Sequence, residues 1–145
     1  NDYFFDMTHK KNVGIIVRVP LASGLLSGKM TRKTTFNPND HRHGNRNGEW
    51  FDKGETFAGV PFETGLTAVE KLKEIFNGYD SLAQVALKWI LLNQKISVII
   101  PGASKLQHIQ NNMRAGNIIK FSDEQLQATQ DIYEHSIKPH IHDLW

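Results

Sequence analysis

Apolar positions along this chain fall into two short β-branched runs set among stretches with helical spacing. Val13-Gly-Ile-Ile-Val17 and Ile96-Ser-Val-Ile-Ile100 are apolar on both faces, as the buried strands of a parallel sheet are. Arg18-Val-Pro20 ends the first run, and Pro101, which cannot donate to a ladder, ends the second. Tyr3 to Lys11 places Tyr3, Phe4 and Met7 at helical spacing with basic residues last. It reads as the C-terminal half of a helix that Asn12 breaks. Thr64 to Phe76 carries the stripe Leu66, Val69, Leu72, Ile75 and Phe76, closed by Asn77-Gly78. Ser81-Leu-Ala-Gln84 predicts a capping box for a helix with Leu82, Val85, Ala86, Trp89 and Ile90 on its apolar face. Ser104 is the expected cap of a helix carrying Leu106, Ile109 and Met113 on one face. Ser122-Asp-Glu-Gln125 predicts another capping box, for a last helix with Leu126, Thr129, Ile132 and Tyr133 inward. The tail from Lys138 to Trp145 reads as irregular, with a Trp145 that needs cover.

Two stretches lack this periodicity. Leu21-Ala-Ser-Gly-Leu-Leu-Ser-Gly-Lys29 is a glycine-punctuated loop. Met30 to Pro61 is rich in Asn, Gly, Asp, Arg and His, and excursions of that length are usually functional or mobile. Its aromatics Phe36, Trp50, Phe51 and Phe57 predict that it packs on something. Strands alternating with helices imply parallel pairing through right-handed crossovers. Two parallel strands cannot cover their own faces and edges, so the chain reads as a single partial domain, residues 1–145, of a larger α/β architecture. Exposed edges predict self-association, or a mobile Met30–Pro61 loop.

Composition narrows the class. Of 145 residues, 39% are hydrophobic and 22% charged, as in a soluble globular domain. A net charge of +2 gives no reason to expect nucleic acid or an anionic membrane as partner. The absence of cysteine excludes disulfides, a thiol nucleophile and thiolate metal sites, and fits a reducing, cytoplasmic setting. No apolar run approaches a membrane span, and Asn-Asp-Tyr-Phe-Phe-Asp6 lacks the plan of a signal peptide. It also lacks a starting Met and reads as the middle of something.

The candidate chemistry lies at the second corner. Ile100-Pro-Gly-Ala-Ser-Lys105 joins a strand to a helix through small residues, gathering free backbone N–H groups where a helix dipole is positive. That suits a phosphate, although one such corner is more often a plain β/α turn. His41 with His43, and His140 with His142, lack an acidic cluster at ligand spacing, so no metal is expected and they read as polar loop histidines. Glu70 and Glu74, with Lys71 and Lys73, read as a solvated helix face.

In combination and in order, Pro20-Leu-Ala-Ser-Gly-Leu-Leu-Ser-Gly-Lys29, Asp40-His-Arg42, Ser81-Leu-Ala-Gln-Val-Ala-Leu-Lys-Trp89 and Ile100-Pro-Gly-Ala-Ser104 with Asn112 resemble the C-terminal portion of an aldo-keto reductase. The nearest pattern is the bacterial and channel β-subunit-like branch. The resemblance implies a (β/α)₈ TIM barrel of which Val13–Val17 is the seventh strand and Ile96–Ile100 the eighth, incomplete in this chain. It implies an oxidoreductase that uses NADP(H), with NAD(H) as the alternative, to reduce a small carbonyl substrate, an aldehyde or ketone. Arg18 would lie against the nicotinamide. Pro20, Leu21, Ala22 and Ser23 would run along the pyrophosphate, with Lys29 and Arg42 reaching the phosphates. Gly102, Ser104 and Lys105 would meet the 2′-phosphate, and Asn112 the adenine. His108 and Asn111 stand where this branch carries Gln or Arg, and Glu, which leaves the choice between NADP and NAD open. The catalytic Asp, Tyr, Lys and His of the family belong to its first four strands, none of which is matched here. No catalytic residue is therefore assigned, Tyr3, Tyr79 and Tyr133 read as packing residues, and the chain alone is expected to be inactive. The alternative is a non-catalytic nucleotide-binding regulatory module like the channel β-subunits.

Overall fold

A computed structural model describes residues 2–142. Helix α1, Asp2–Lys10, leads into strand β1, Ile16–Val17. The helix stops before Asn12, as predicted; Asn12 takes a left-handed conformation, and Val13 N–H closes back onto the Thr8 carbonyl at 2.9 Å. Strand β2, Val98–Ile99, pairs with β1 in parallel, Ile16 opposite Val98 and Val17 opposite Ile99. Ile15 extends this pairing by accepting from Ser97 N–H at 3.0 Å and donating to Ser97 Oγ at 3.0 Å. Lys95 forms an ion pair with Asp6, tying α1 to the turn before β2.

Both strands are shorter than their apolar runs, and their expected burial is corrected. Ile16 is 64% exposed and Ile100 56%, because nothing among the described residues covers that side of the pair. The core lies elsewhere, on helix α3, Phe62–Ile75, and helix α4, Leu82–Leu91. One cluster gathers Leu25, Phe57, Phe62, Leu66 and Val69. A second joins Phe76, Val85 and Phe121, with Tyr79 edge-on to both rings. Gly65 admits the first cluster's contact with the preceding loop: a Cβ there would lie 2.5 Å from Leu25 Cδ2.

Several local expectations fail for identifiable reasons. Ser81 precedes α4 but makes no side-chain cap, and the Gln84 side chain is buried and does not complete a capping box. On α4 the deepest residue is Leu87, while Trp89 is half exposed. Helix α3 ends on buried Phe76 instead of on a left-handed Gly78. Helix α5 runs Leu106–Arg114 and begins after an extended Lys105; Ser104 is not its cap. Leu106, Ile109 and Met113 share one ridge of α5 and stand exposed. Ser122 and Gln125 do form the reciprocal capping box, opening helix α6, Asp123–Ile132. The described part of the tail is helical where irregularity was expected: a π turn, Tyr133–Ile137, leads into a short helix, Lys138–Ile141. Leu126, Thr129, Ile132 and Tyr133 are half-buried, and the last three line an apolar cavity of about 410 Å³ against α3 and α4. Tyr3 is exposed and packs on nothing described, whereas Tyr79 packs as predicted. Glu70 pairs with Lys73 on an exposed face, as expected. Trp145 lies outside the described residues.

The Met30–Pro61 excursion takes a defined conformation, and polar groups hold it. It contains helix α2, His41–Gly44, and two 3₁₀ turns, Lys53–Glu55 and Phe57–Gly59. Asn45 is fully buried at its centre. Its Oδ1 accepts from the backbone N–H groups of Trp50 and Phe51 at 2.8 and 2.9 Å, and its Nδ2 donates to Thr56 Oγ1 at 3.1 Å. Phe36 and Phe57 pack into the core, but Trp50 and Phe51 stay about half exposed. Asp40 caps α2 by accepting from Arg42 N–H at 2.9 Å and also pairs with the Arg42 guanidinium. The side-chain hydrogen bond from Arg42 holds the Asp40 carboxyl down, to about 2.

Replacing the buried Asn45 by Ala deprives the Trp50 and Phe51 N–H groups of their acceptor and is expected to cost about 2 kcal/mol, read as a lowered urea midpoint. A depressed carboxyl pKa contributes stability above its unfolded value, near ~3.9, and loses it as pH falls toward about 2. Acid titration is expected to detach α2 in that window, reported by Trp50, and Asp40→Asn to lack that component.

Candidate nucleotide site

The site is defined by where β1 and β2 end. Ile100 N–H donates to the Val17 carbonyl at 3.0 Å, so Arg18 and Ile100 leave the pair side by side at its C-terminal end, just before Pro101. From there one strand opens into the Pro20–Gly28 loop and the other into the Gly102–Lys105 corner.

The first loop is strained and turned inward. Val19, Ala22 and Ser23 all adopt positive φ, at 50°, 46° and 56°. For residues with a Cβ, and above all for β-branched Val19, this costs about 1–3 kcal/mol each and persists only where surroundings impose it. The surroundings are visible. Pro20 is buried, Ala22 lines the apolar cavity, and Leu25 inserts beside Gly65. Ser23 Oγ accepts from Phe57 N–H at 3.2 Å and donates to the Glu55 carbonyl at 3.4 Å. Its hydroxyl is therefore engaged within the protein, and its contribution to a ligand is its place in the turn. Leu21 is half-buried. Gly28, at φ 72°, closes the 3₁₀ turn Ala22–Ser27 in the left-handed region that glycine takes freely.

The excursion brings charge to this loop. Arg42 Nη1 donates to the Ser23 carbonyl at 3.4 Å, and its guanidinium lies 4.7 Å over the Phe36 ring. Asp40 raises the already high Arg42 pKa through its hydrogen bond, so the cation is permanent. Arg18 forms an ion pair with Glu55, a partner that the sequence reading did not single out. Asn45 was likewise not singled out, and Phe36 was marked only as a packing aromatic, without a sign that it underlies Arg42. Lys29 is exposed and lines a polar hollow of about 250 Å³ with Lys73, Ser27 and Ser81.

The second corner is open. A Cβ on Gly102 would meet nothing within 4 Å. Ser104 and Lys105 are exposed, and the first turn of α5 has no side-chain cap, which leaves its N–H groups for another acceptor. Ser104 N–H and Oγ each lie 3.4 Å from His108 Nδ1. His108, Asn111 and Asn112 form the half-buried ridge of α5, so the polar side of this helix faces the molecule and its apolar side faces out. These features fit an anionic ligand. Arg18, Arg42 and the Pro20–Ser23 turn gather around the excursion, while Gly102, Ser104, Lys105, His108, Asn111 and Asn112 form a separate group on the turn after β2 and on α5. His41 is held by Thr56 Oγ1 at 2.9 Å, and among the described residues no three potential ligands cluster for a metal. No described helix is long and apolar enough to cross a membrane.

Comparison with known proteins fits this geometry. The aldo/keto reductase family model matches residues 2–134. L-glyceraldehyde 3-phosphate reductase of Escherichia coli O157:H7 is 32% identical over 122 residues, covering 83% of this chain and 34% of that protein. A probable voltage-gated potassium channel subunit beta of Arabidopsis thaliana is 31% identical over 117 residues, covering 80% of this chain and 34% of that protein. The glycerol dehydrogenase of Gluconobacter oxydans superposes with a TM-score of 0.69 at 25% identity, over 92% of this chain and 38% of that structure. The chain thus spans about a third of the curated relatives it matches. Its paired strands and flanking helices are the C-terminal part of a (β/α)₈ barrel, and the chain belongs to the aldo/keto reductase family.

Proposed function

We propose that this chain grips NADP(H) for a protein that, when complete, transfers hydride between NADPH and an aldehyde or ketone. The observation that carries the reading is the Ile100–Val17 hydrogen bond, which sets a cation-bearing strained loop and an uncapped helix start at one end of two parallel strands. In a (β/α)₈ barrel that end is where ligands bind, with phosphates near the last two strands. The Pro20–Ser23 turn, Lys29 and Arg42 would hold the pyrophosphate. Gly102, Ser104 and Lys105 would hold the 2′-phosphate, with Asn112, His108 and Asn111 along the adenosine and Arg18 nearest the nicotinamide. Bound dinucleotide would supply the hydride. In this reading the chain's own residues bind and orient, and the carbonyl's proton comes from a group outside the segments named here. Tyr79 directs its hydroxyl to the Lys120 carbonyl and Gln125 at 3.5 and 3.4 Å. Exposed strand edges favour self-association of the chain by itself.

A second reading, a non-catalytic nucleotide sensor, draws on the likeness to the Arabidopsis channel subunit. The two part on turnover by the complete protein.

Lys105→Ala is expected to weaken NADPH binding roughly tenfold and NADH binding little, because a charge-assisted contact to the 2′-phosphate is removed. Lys29→Ala is expected to weaken both alike; tryptophan fluorescence titrations measure each. Equal losses for both nucleotides in Lys105→Ala would refute the placement of the 2′-phosphate. The purified chain alone is expected to show no carbonyl-dependent NADPH oxidation at 340 nm, and turnover lost in a Lys29→Ala control would contradict it.

A further inference from the structure

The Asp40–Arg42 pair is unusual in its geometry. Asp40 Oδ1 accepts both the backbone N–H and the Nε–H of Arg42, each at 2.9 Å, while Oδ2 accepts from Nη2 at 2.6 Å. One carboxylate thus caps α2 and grips the side-on edge of a guanidinium two residues later. Both side chains are largely covered, Arg42 at 32% and Asp40 at 23% exposed. Phe36 lies beneath the guanidinium, and the Ser23 carbonyl takes Nη1. Arg46 Nε donates to the Arg42 carbonyl at 2.9 Å and its guanidinium also reaches the Phe36 ring, at 5.6 Å, so the backbone under Arg42 is held as well.

We propose that Asp40 is a positioning residue for the dinucleotide: it locks the Arg42 guanidinium beside the Pro20–Ser27 turn so that its remaining N–H groups meet a phosphate in a fixed place. This rests on the nucleotide-gripping function given above. Two effects of the carboxylate oppose each other. As a negative charge near a phosphate it weakens binding by repulsion. As an anchor it removes the rotamer freedom an arginine otherwise loses when it binds, the usual gain from preorganisation. The bidentate grip, the ring below and the carbonyl beside it favour the second. Held side-on, the guanidinium keeps N–H groups on Nη1 and Nη2 beyond those already engaged, next to the loop that would carry the pyrophosphate.

The sign of one substitution separates the two effects. Asn serves as well as Asp at a helix N-cap, so Asp40→Asn keeps α2 capped while abolishing the ion pair. In the complete protein, Asp40→Asn is expected to raise the dissociation constants of NADPH and NADH by the same factor, about fivefold to tenfold. Repulsion alone predicts tighter binding. Arg42→Lys, which leaves the cap untouched and cannot pair side-on, is expected to lose a similar factor, and the double substitution to lose no more than either. The Arg42 Nε–H resonance in ¹⁵N-arginine-labelled protein is expected to be protected from exchange and to lose that protection in Asp40→Asn. Unchanged or tighter binding in Asp40→Asn, a loss confined to NADPH, or fully additive losses in the double variant would each overturn the role assigned to Asp40. If the unsubstituted protein binds neither dinucleotide, the function it rests on falls first, and this role with it.

Discussion

Parallel pairing of Ile16–Val17 with Val98–Ile99 is the constraint on which the remaining arrangement depends. Only a parallel pair sends both segments out at the same end, and only this register places Arg18 beside Ile100. A one-residue slip would turn Ile15 and Val17, the half-buried side chains of the first strand, to the opposite face. The pair is short, yet Ser97 extends it with its side chain, and the Asp6–Lys95 ion pair ties the segments leading into it.

Around that pair, apolar and polar groups divide the work unevenly. Helices α3 and α4 bury side chains in the ordinary way. The excursion after Met30 buries few and is organised by Asn45, Asp40, Asp52 and Ser23, each of which satisfies backbone or guanidinium donors. This suits a segment beside an anion site. Hydrogen-bonded turns can hold left-handed residues such as Ala22, Ser23 and Ala58 in place, and the cost of that strain is offset by Leu25 and Phe57 buried on α3.

The exposed apolar side chains follow from the same architecture. Ile16, Val98, Ile100, Leu106, Ile109 and Met113 are apolar where the described residues offer no cover. A barrel strand is apolar on both faces because it is enclosed on both, and a barrel helix carries an apolar ridge for its neighbours. The chain spans about a third of the length of these relatives and carries that same patterning.

Composition, periodicity and punctuation in the sequence were enough to place both strands, all the longer helices and the capping box at Ser122, because each rests on neighbours within a few residues. The motifs also sufficed to mark Pro20–Lys29 and Ile100–Lys105 as candidate site segments. Tertiary contacts alone decided that Ser81 and Ser104 do not cap, that Leu87 and not Trp89 is the deepest residue of α4, and that Arg18 meets Glu55. They also gave the aperiodic excursion a defined conformation, through Asn45 and the Asp40–Arg42 pair. The reason is physical: a hydrogen bond from a loop side chain to a distant backbone leaves no period in the sequence, whereas burial of a helix face repeats with every turn.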